Sequence, residues 1–113
     1  MIYLKINDTL YPASFRMRVR DSEWDDRSSI SITLDMTYEQ ASALFVDGLR
    51  WQNFNQPDSF TDEEGNIITP DPITTDYFEY EVAGPITDNR DGTLTVKMGK
   101  PTADELLAVV MGI

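Results

Sequence analysis

Carboxylates are the side chains of this sequence with the most obvious capacity for chemistry. They occur in two short runs next to a glycine, Asp62-Glu63-Glu64-Gly65-Asn66 and Asp88-Asn89-Arg90-Asp91-Gly92. Both runs are similar to the start of a calcium loop, but neither has the alternating ligands or the glutamate at the twelfth position of an EF-hand. Turns of β-hairpins explain both runs better. We therefore predict no metal site and no cofactor.

The usual catalytic groups are missing from the sequence. It contains no histidine and no cysteine, which removes the commonest general base, the thiol nucleophile and thiolate metal sites. Pairs of carboxylates could still serve as acid and base, but Asp and Glu are so abundant that no pair is singled out. The prediction is a protein that is not an enzyme and has no catalytic residues.

Negative charge is concentrated in the later part of the chain. The net charge is -11, yet residues 1–34 hold five basic and five acidic groups, so the whole excess lies beyond them. Between Asn55 and Gly92 there are ten carboxylates and one base, Arg90. Nucleic-acid binding depends on clustered Lys and Arg, so we expect no direct binding to DNA or RNA. A basic protein partner fits this surface; the alternative is that the charge only keeps the protein soluble.

A long polar segment in the middle of the chain is the best candidate for a binding surface. Gln56 to Pro72 is rich in acids, and irregular segments of this length are uncommon in compact domains unless they bind something or move. Aromatic side chains near such a loop are favoured anchors at interfaces. The predicted partner-binding residues are Asp58, Asp62, Glu63, Glu64, Asp71, Asp76, Glu79, Glu81, Trp24 and Phe60.

Two helices have clear start signals. Thr37 and Gln40 form a capping box, and the apolar residues that follow recur at helical spacing until Asp47-Gly48, which is a typical stop. This pattern predicts one main amphipathic helix over 37–48, packed on a sheet. Thr102 with Glu105 is a second capping box and predicts a short C-terminal helix. Its apolar residues would be Leu106, Leu107, Val109 and Val110, and it would end near Ile113.

Alternating apolar and polar residues predict the strands. The pattern is clearest over residues 2–6, 15–20, 28–34, 76–86 and 94–98. Short connections favour an antiparallel arrangement. The predicted fold is a single α+β domain over residues 1–113, with an antiparallel sheet of about five to seven strands. Residues 67 and 68 could form the returning strand of a hairpin whose tip is 62–66.

One strand has a basic side. Arg16, Arg18 and Arg20 lie on the opposite side from Phe15, Met17 and Val19. If the strand containing Glu79 and Glu81 were a neighbour, the acidic and basic stripes would pair across the sheet. The alternative is that the arginines bind an acidic partner.

Three stretches together resemble a group of small proteins encoded in phages and prophages of Gram-positive bacteria, often among tail genes. They are MIYLKINDTLYPASF, SEWDDRSSISITLDMTYEQASALFVDGLRW and VAGPITDNRDGTLTVKMGKPTADELLA. The resemblance spans most of the chain, apart from residues 55–75, and includes no motif of a known chemistry. It implies a phage context, with the protein in the host cytoplasm or the virion, and a non-enzymatic role such as an accessory component of a tail or baseplate.

Two functions follow as expectations. The first is a protein–protein interaction module of the virion that presents a sheet edge or the acidic loop to another virion protein, with a homo-oligomer as one form of assembly. The second is an acidic DNA mimic that inhibits a basic host defence nuclease, as anti-CRISPR and anti-restriction proteins do. The sequence has no apolar run of the roughly 20 residues that cross a membrane, so no membrane association is expected.

Overall fold

The computed structural model describes residues 1–112, without the side chain of Val109. Ile113 and the predicted apolar contact of Val109 lie outside the described part of the chain. The fold is α+β with a mainly antiparallel sheet, as the sequence predicts. The elements in chain order are β1 (Ile2–Ile6), β2 (Thr9–Asp21), β3 (Arg27–Leu34), α1 (Tyr38–Leu44), β4 (Gln52–Asn55), β5 (Phe60–Thr61), β6 (Ile67–Ile68), β7 (Ile73–Asp76), β8 (Val82–Asp88), β9 (Leu94–Gly99) and α2 (Ala103–Met111).

Seven strands form the main sheet, in the order β7-β4-β1-β2-β3-β9-β8. Neighbouring strands pair in antiparallel fashion throughout, and β5 and β6 form a separate two-stranded antiparallel ribbon. The meander β1–β2–β3 and the hairpin β8–β9 confirm the short connections that the sequence indicates. The molecule is elongated, with principal extents of 63 × 33 × 27 Å.

The core lies on one face of the sheet. Opposite side chains in neighbouring strands align there: Ile32 of β3 faces Phe15 of β2 on one side and Val96 of β9 on the other. Trp51 is fully buried, and its indole N–H donates a 2.9 Å hydrogen bond to the carbonyl oxygen of Tyr80. Burial of an aromatic ring with its polar atom satisfied combines a large apolar area with no unpaired donor.

Helix α1 is shorter than predicted. Its capping box is confirmed: the Gln40 N–H donates to the Thr37 hydroxyl, and the Thr37 N–H donates to the Gln40 side chain, both at 3.1 Å. The helix ends at Leu44 rather than at 48, because the next turn bonds to the start of β8. The Gly48 N–H donates to the carbonyl oxygen of Glu81, and the Ala83 N–H donates to the Asp47 carboxylate, both at 2.8 Å.

The prediction of one main amphipathic helix over 37–48 is not confirmed. Helix α1 has seven residues and α2 has nine, so neither dominates the fold. Ala41 is the one buried residue within α1, and it joins the core with Phe45 just beyond the helix. The C-terminal helix is present, and its second capping box forms as predicted between Thr102 and Glu105. Its apolar side chains Leu106 and Leu107 are more than half exposed.

The predicted strand over 76–86 is interrupted. Strand β7 ends at Asp76, a turn follows in which the Tyr80 N–H donates to the Tyr77 carbonyl, and β8 begins at Val82. The turn exists because Tyr77 and Tyr80 both fold towards Trp51: the Tyr77 ring stacks on the indole at 5.2 Å. Packing around one buried tryptophan therefore overrides the alternation of the segment.

The predicted pairing between the arginine stripe and Glu79/Glu81 is wrong. Strands β3 and β9 lie between β2 and β8, and residues 77–81 are outside the strands. Arg18 instead lies 3.6 Å from Asp21 and 3.8 Å from Glu23, while Glu79 pairs with Lys100 at 3.1 Å.

Candidate interaction surface

Residues 52–76 form a two-stranded extension at one edge of the main sheet. We call these residues the arm. The first and last strands of the arm, β4 and β7, belong to the main sheet. The short β5–β6 ribbon forms the outer part of the arm. The hairpin that the sequence offered as an alternative for 62–68 is thus confirmed. Ser59 and Thr69 bond through their hydroxyls at 2.9 Å and close the base of the ribbon.

Asp62 builds the tip of the arm rather than presenting a free carboxylate. It accepts hydrogen bonds from the N–H groups of Asn66 at 2.8 Å and Glu64 at 3.0 Å. Gly65 takes the left-handed conformation that this turn requires, with φ of 87°. The Asn66 N–H is the main reason that the pKa of the Asp62 carboxyl lies below its usual value. Glu63 and Glu64 remain exposed at the tip.

Large apolar side chains are exposed on the same arm. Phe60 is 54% exposed, Ile67 is 77% exposed and Ile73 is 57% exposed, and Ile68 lies beside them. Burying one such side chain contributes about 1.5 to 3 kcal/mol. Apolar groups concentrated on one projection, and not scattered singly, are typical of a docking surface. The sequence prediction included Phe60 but missed the three isoleucines, of which Ile67 and Ile68 had been assigned only to the returning strand of a hairpin.

The charges of the arm have one sign. It contains six acidic residues and no Lys or Arg. Within residues 1–112, Asp58 has a weak contact of 4.0 Å with the N-terminal ammonium, and no arm carboxylate forms a salt bridge with Lys or Arg. Asp76 accepts a hydrogen bond from the Gln52 side chain, and Asp71 is exposed. The structure therefore brings six of the predicted acidic residues onto one projection.

Glu79 and Glu81 lie apart from the arm. They flank a groove of about 440 Å³ between the turn after β7 and helix α2, which is also lined by Phe78, Lys100, Pro101 and Leu106. The hydrogen bond from Lys100 to Glu79 raises the pKa of Lys100. These two predicted partner-binding residues therefore belong to a different surface from Asp58 and Phe60.

Trp24, a predicted partner-binding residue, is half-buried and packs against the fold. The loop from β2 to β3 places the Trp24 ring over Gly84 and Gly99. A Cβ added at these glycines would come within 2.6 Å and 2.8 Å of the indole, respectively. The guanidinium of Arg27 lies 4.5 Å from the ring centre, a cation–π contact. The two glycines leave the room that this ring fills.

A buried charge cluster that the sequence did not reveal lies beside this loop. Asp21 is fully buried and accepts hydrogen bonds from Lys97 Nζ and Ser29 Oγ, both at 2.9 Å, and from the Glu23 N–H at 3.1 Å. The bond from Lys97 is the main reason that the pKa of Asp21 is lowered to about 2. Every polar group around this carboxylate serves the fold, so we assign the cluster a structural role.

Searches against protein-family models, curated proteins and solved structures gave no significant match. Within residues 1–112 no three acidic side chains are close enough together to hold a metal ion. No helix in this part of the chain has the length and apolar character needed to span a membrane.

Proposed function

We propose that the protein is a non-enzymatic protein–protein interaction module that binds its partner through the arm. The observation that supports this is the combination, on one projection, of exposed Phe60, Ile67 and Ile73 with six carboxylates. Apolar side chains supply affinity through burial, and charge of one sign selects the partner and speeds encounter. Together they favour a partner that is apolar and basic at the contact.

The resemblance to phage-encoded proteins gives this module a context. We propose an accessory component of a tail or baseplate, located in the virion, whose arm contacts another virion protein. An elongated molecule with a projecting hairpin suits an assembly in which each subunit reaches its neighbour. The assembly would depend on the arm.

The second candidate is an acidic DNA mimic that inhibits a host defence nuclease of the anti-CRISPR or anti-restriction type. The absence of Lys and Arg from the arm favours it, since a basic nucleic-acid channel attracts such a surface. Exposed isoleucines weigh against it, because a phosphate backbone has no counterpart to them. On this alternative the protein would act in the host cytoplasm.

Affinity capture from phage-infected cells tests both candidates when three forms of the protein are compared. The first is wild type. The apolar-arm variant is Phe60→Ser, Ile67→Thr, Ile68→Thr, and the charge variant is Glu63→Gln, Glu64→Gln, Asp71→Asn. Asp62 is left intact in both because it holds the turn.

The structural proposal expects virion proteins in the wild-type eluate and their loss with the apolar-arm variant. The DNA-mimic candidate predicts that wild type captures a host nuclease and that the charge variant does not. Capture of the nuclease should also fall as the salt concentration rises. If the arm variants capture the same proteins as wild type, the arm is not the binding surface and the proposal fails.

A further inference from the structure

One side of β2 has no neighbouring strand over its second half. The β1–β2 ladder runs from Ile6↔Thr9 to Tyr3↔Pro12, whereas β3 continues along the other side of β2 from Ala13 to Asp21. Within residues 1–112 no strand pairs with Phe15–Arg20 on the side of β1. We call this side of Phe15–Arg20 the β2 edge. An unpaired strand edge is a template for the addition of another strand.

Side chains of the β2 edge are both basic and apolar. Arg16 is exposed and, within the described residues, forms no salt bridge; Arg20 has only a surface contact of 3.3 Å with Asp26. Met17 is 49% exposed and Val19 is 81% exposed on the opposite face of the strand. The edge therefore offers cations on one face and apolar side chains on the other.

The arm has the complementary properties. It is acidic where the β2 edge is basic, and its β5–β6 ribbon is already extended. One face of the ribbon carries exposed Phe60 and Ile68, which match Met17 and Val19. Within residues 1–112 no salt bridge joins the arm to Arg16, Arg18 or Arg20 of the same molecule. In a protein with a net charge of -11, this strand is the place where a second acidic copy would be attracted rather than repelled.

We propose that the β2 edge of one molecule binds the arm of a second copy of this chain. The ribbon of the arm adds to the edge as a strand, its carboxylates face the arginines, and Phe60 and Ile68, which share one face of the ribbon, cover Met17 and Val19. Arm and edge are different surfaces, so the contact is heterologous and repeats from copy to copy, as a ring or an open chain. This inference rests on the proposed role of the arm and specifies its partner.

Two variants that each remove one half of the contact give a direct test. The edge variant is Arg16→Glu, Arg20→Glu, and the arm variant is Phe60→Ser, Ile67→Thr, Ile68→Thr. A matched control, Arg50→Glu, Arg90→Glu, makes the same charge change at exposed positions outside the β2 edge. Circular dichroism of each variant checks the fold, and sedimentation velocity over a concentration series measures assembly.

Wild type and control should associate into species larger than a dimer as concentration rises, and less so in about 0.5 M salt because the charges are screened. Each variant alone should associate at least about tenfold more weakly. An equimolar mixture of the two should form a one-to-one dimer and stop, because it contains one intact arm and one intact edge per pair.

A wild type that stays monomeric at about 100 µM, a mixture that stays monomeric, or a control as defective as the edge variant would overturn the inference. The proposed function is judged separately. If capture of another virion protein still depends on the arm while the purified protein stays monomeric, the arm is a docking surface for that protein and not for a second copy.

Discussion

Replacing Asp21 with asparagine should destabilise the protein and alter how its stability depends on pH. The carboxylate is fully buried and bonds to Lys97 and Ser29. Removing one member of a buried ion pair leaves the other charge without its partner, which typically costs about 3 to 5 kcal/mol. Lys97 keeps a second contact with Glu23 at 3.6 Å, so we expect a loss near the lower end, about 3 kcal/mol at pH 7.

The pH dependence gives an independent magnitude. The pKa of Asp21 is lowered from 3.8 to about 2, mainly by the hydrogen bond from Lys97. Because the folded state favours the ionised Asp21 carboxylate, its contribution to stability is present above pH 4 and is lost as the pH falls towards 2. A pKa shift of this size corresponds to about 2 kcal/mol in the free energy of unfolding. Wild type should therefore lose about 2 kcal/mol more than Asp21→Asn between pH 5 and pH 2.

Urea unfolding followed by tryptophan fluorescence at several pH values measures both quantities. Asp8→Asn is the control, since Asp8 is exposed in the β1–β2 turn, and it should change stability by no more than about 0.5 kcal/mol. A loss below about 0.5 kcal/mol for Asp21→Asn, or stability curves that stay parallel from pH 5 to pH 2, would refute the reasoning about the cluster.

Three further substitutions test the packing around the sheet. Gly84→Ala places a methyl group 2.6 Å from the Trp24 ring; it should cost about 1 to 3 kcal/mol and shift the tryptophan emission to the red in steady-state fluorescence. Thr37→Ala removes the hydroxyl of the first capping box and should cost about 1 kcal/mol in urea unfolding. Glu105→Gln removes the charge that lies 2.7 Å from the buried Arg27 guanidinium; it should speed amide exchange in α2, measured by hydrogen–deuterium exchange. An unchanged fluorescence spectrum, urea midpoint or exchange rate would contradict the corresponding contact.

Local signals in the sequence predicted the elements whose structure depends on neighbouring residues. The capping boxes at Thr37 and Thr102 and the turn before Gly92 all form. Strict alternation identified β2 and β3. The apolar face of β3 is buried, whereas in β2 Phe15 packs against the core and Met17 and Val19 are exposed. These features follow from hydrogen bonds and side-chain spacing within a few residues, which a single sequence contains.

Features that depend on distant contacts were missed. Helix α1 stops early because Asp47 and Gly48 bond to β8, which lies about 35 residues further along the chain. The segment after Asp76 turns because Tyr77 stacks on Trp51. Asp21 looks like a turn residue in the sequence, and only the sheet order brings Lys97 of β9 to it.

The candidate site was predicted in part for the same reason. The acidic composition of 55–76 was visible in the sequence, and the structure places its carboxylates together on the arm. The packing of Trp24 could not be predicted because the glycines that make room for its ring are 60 or more residues away. The isoleucines at 67 and 68 are consecutive apolar residues, as a buried strand would also have, so their exposure could not be read from the sequence.

The most direct test of binding through the arm is photo-crosslinking from the arm in phage-infected cells. A photoreactive amino acid replaces Ile67 at the outer part of the arm, and in a matched protein it replaces Val46, which is 48% exposed outside the arm. If the arm is the binding surface, position 67 should give a defined crosslinked protein, either a virion protein or a second copy, and position 46 should give none. Crosslinks from position 46 alone, or the same products from both positions, would contradict the claim that the arm is the binding surface.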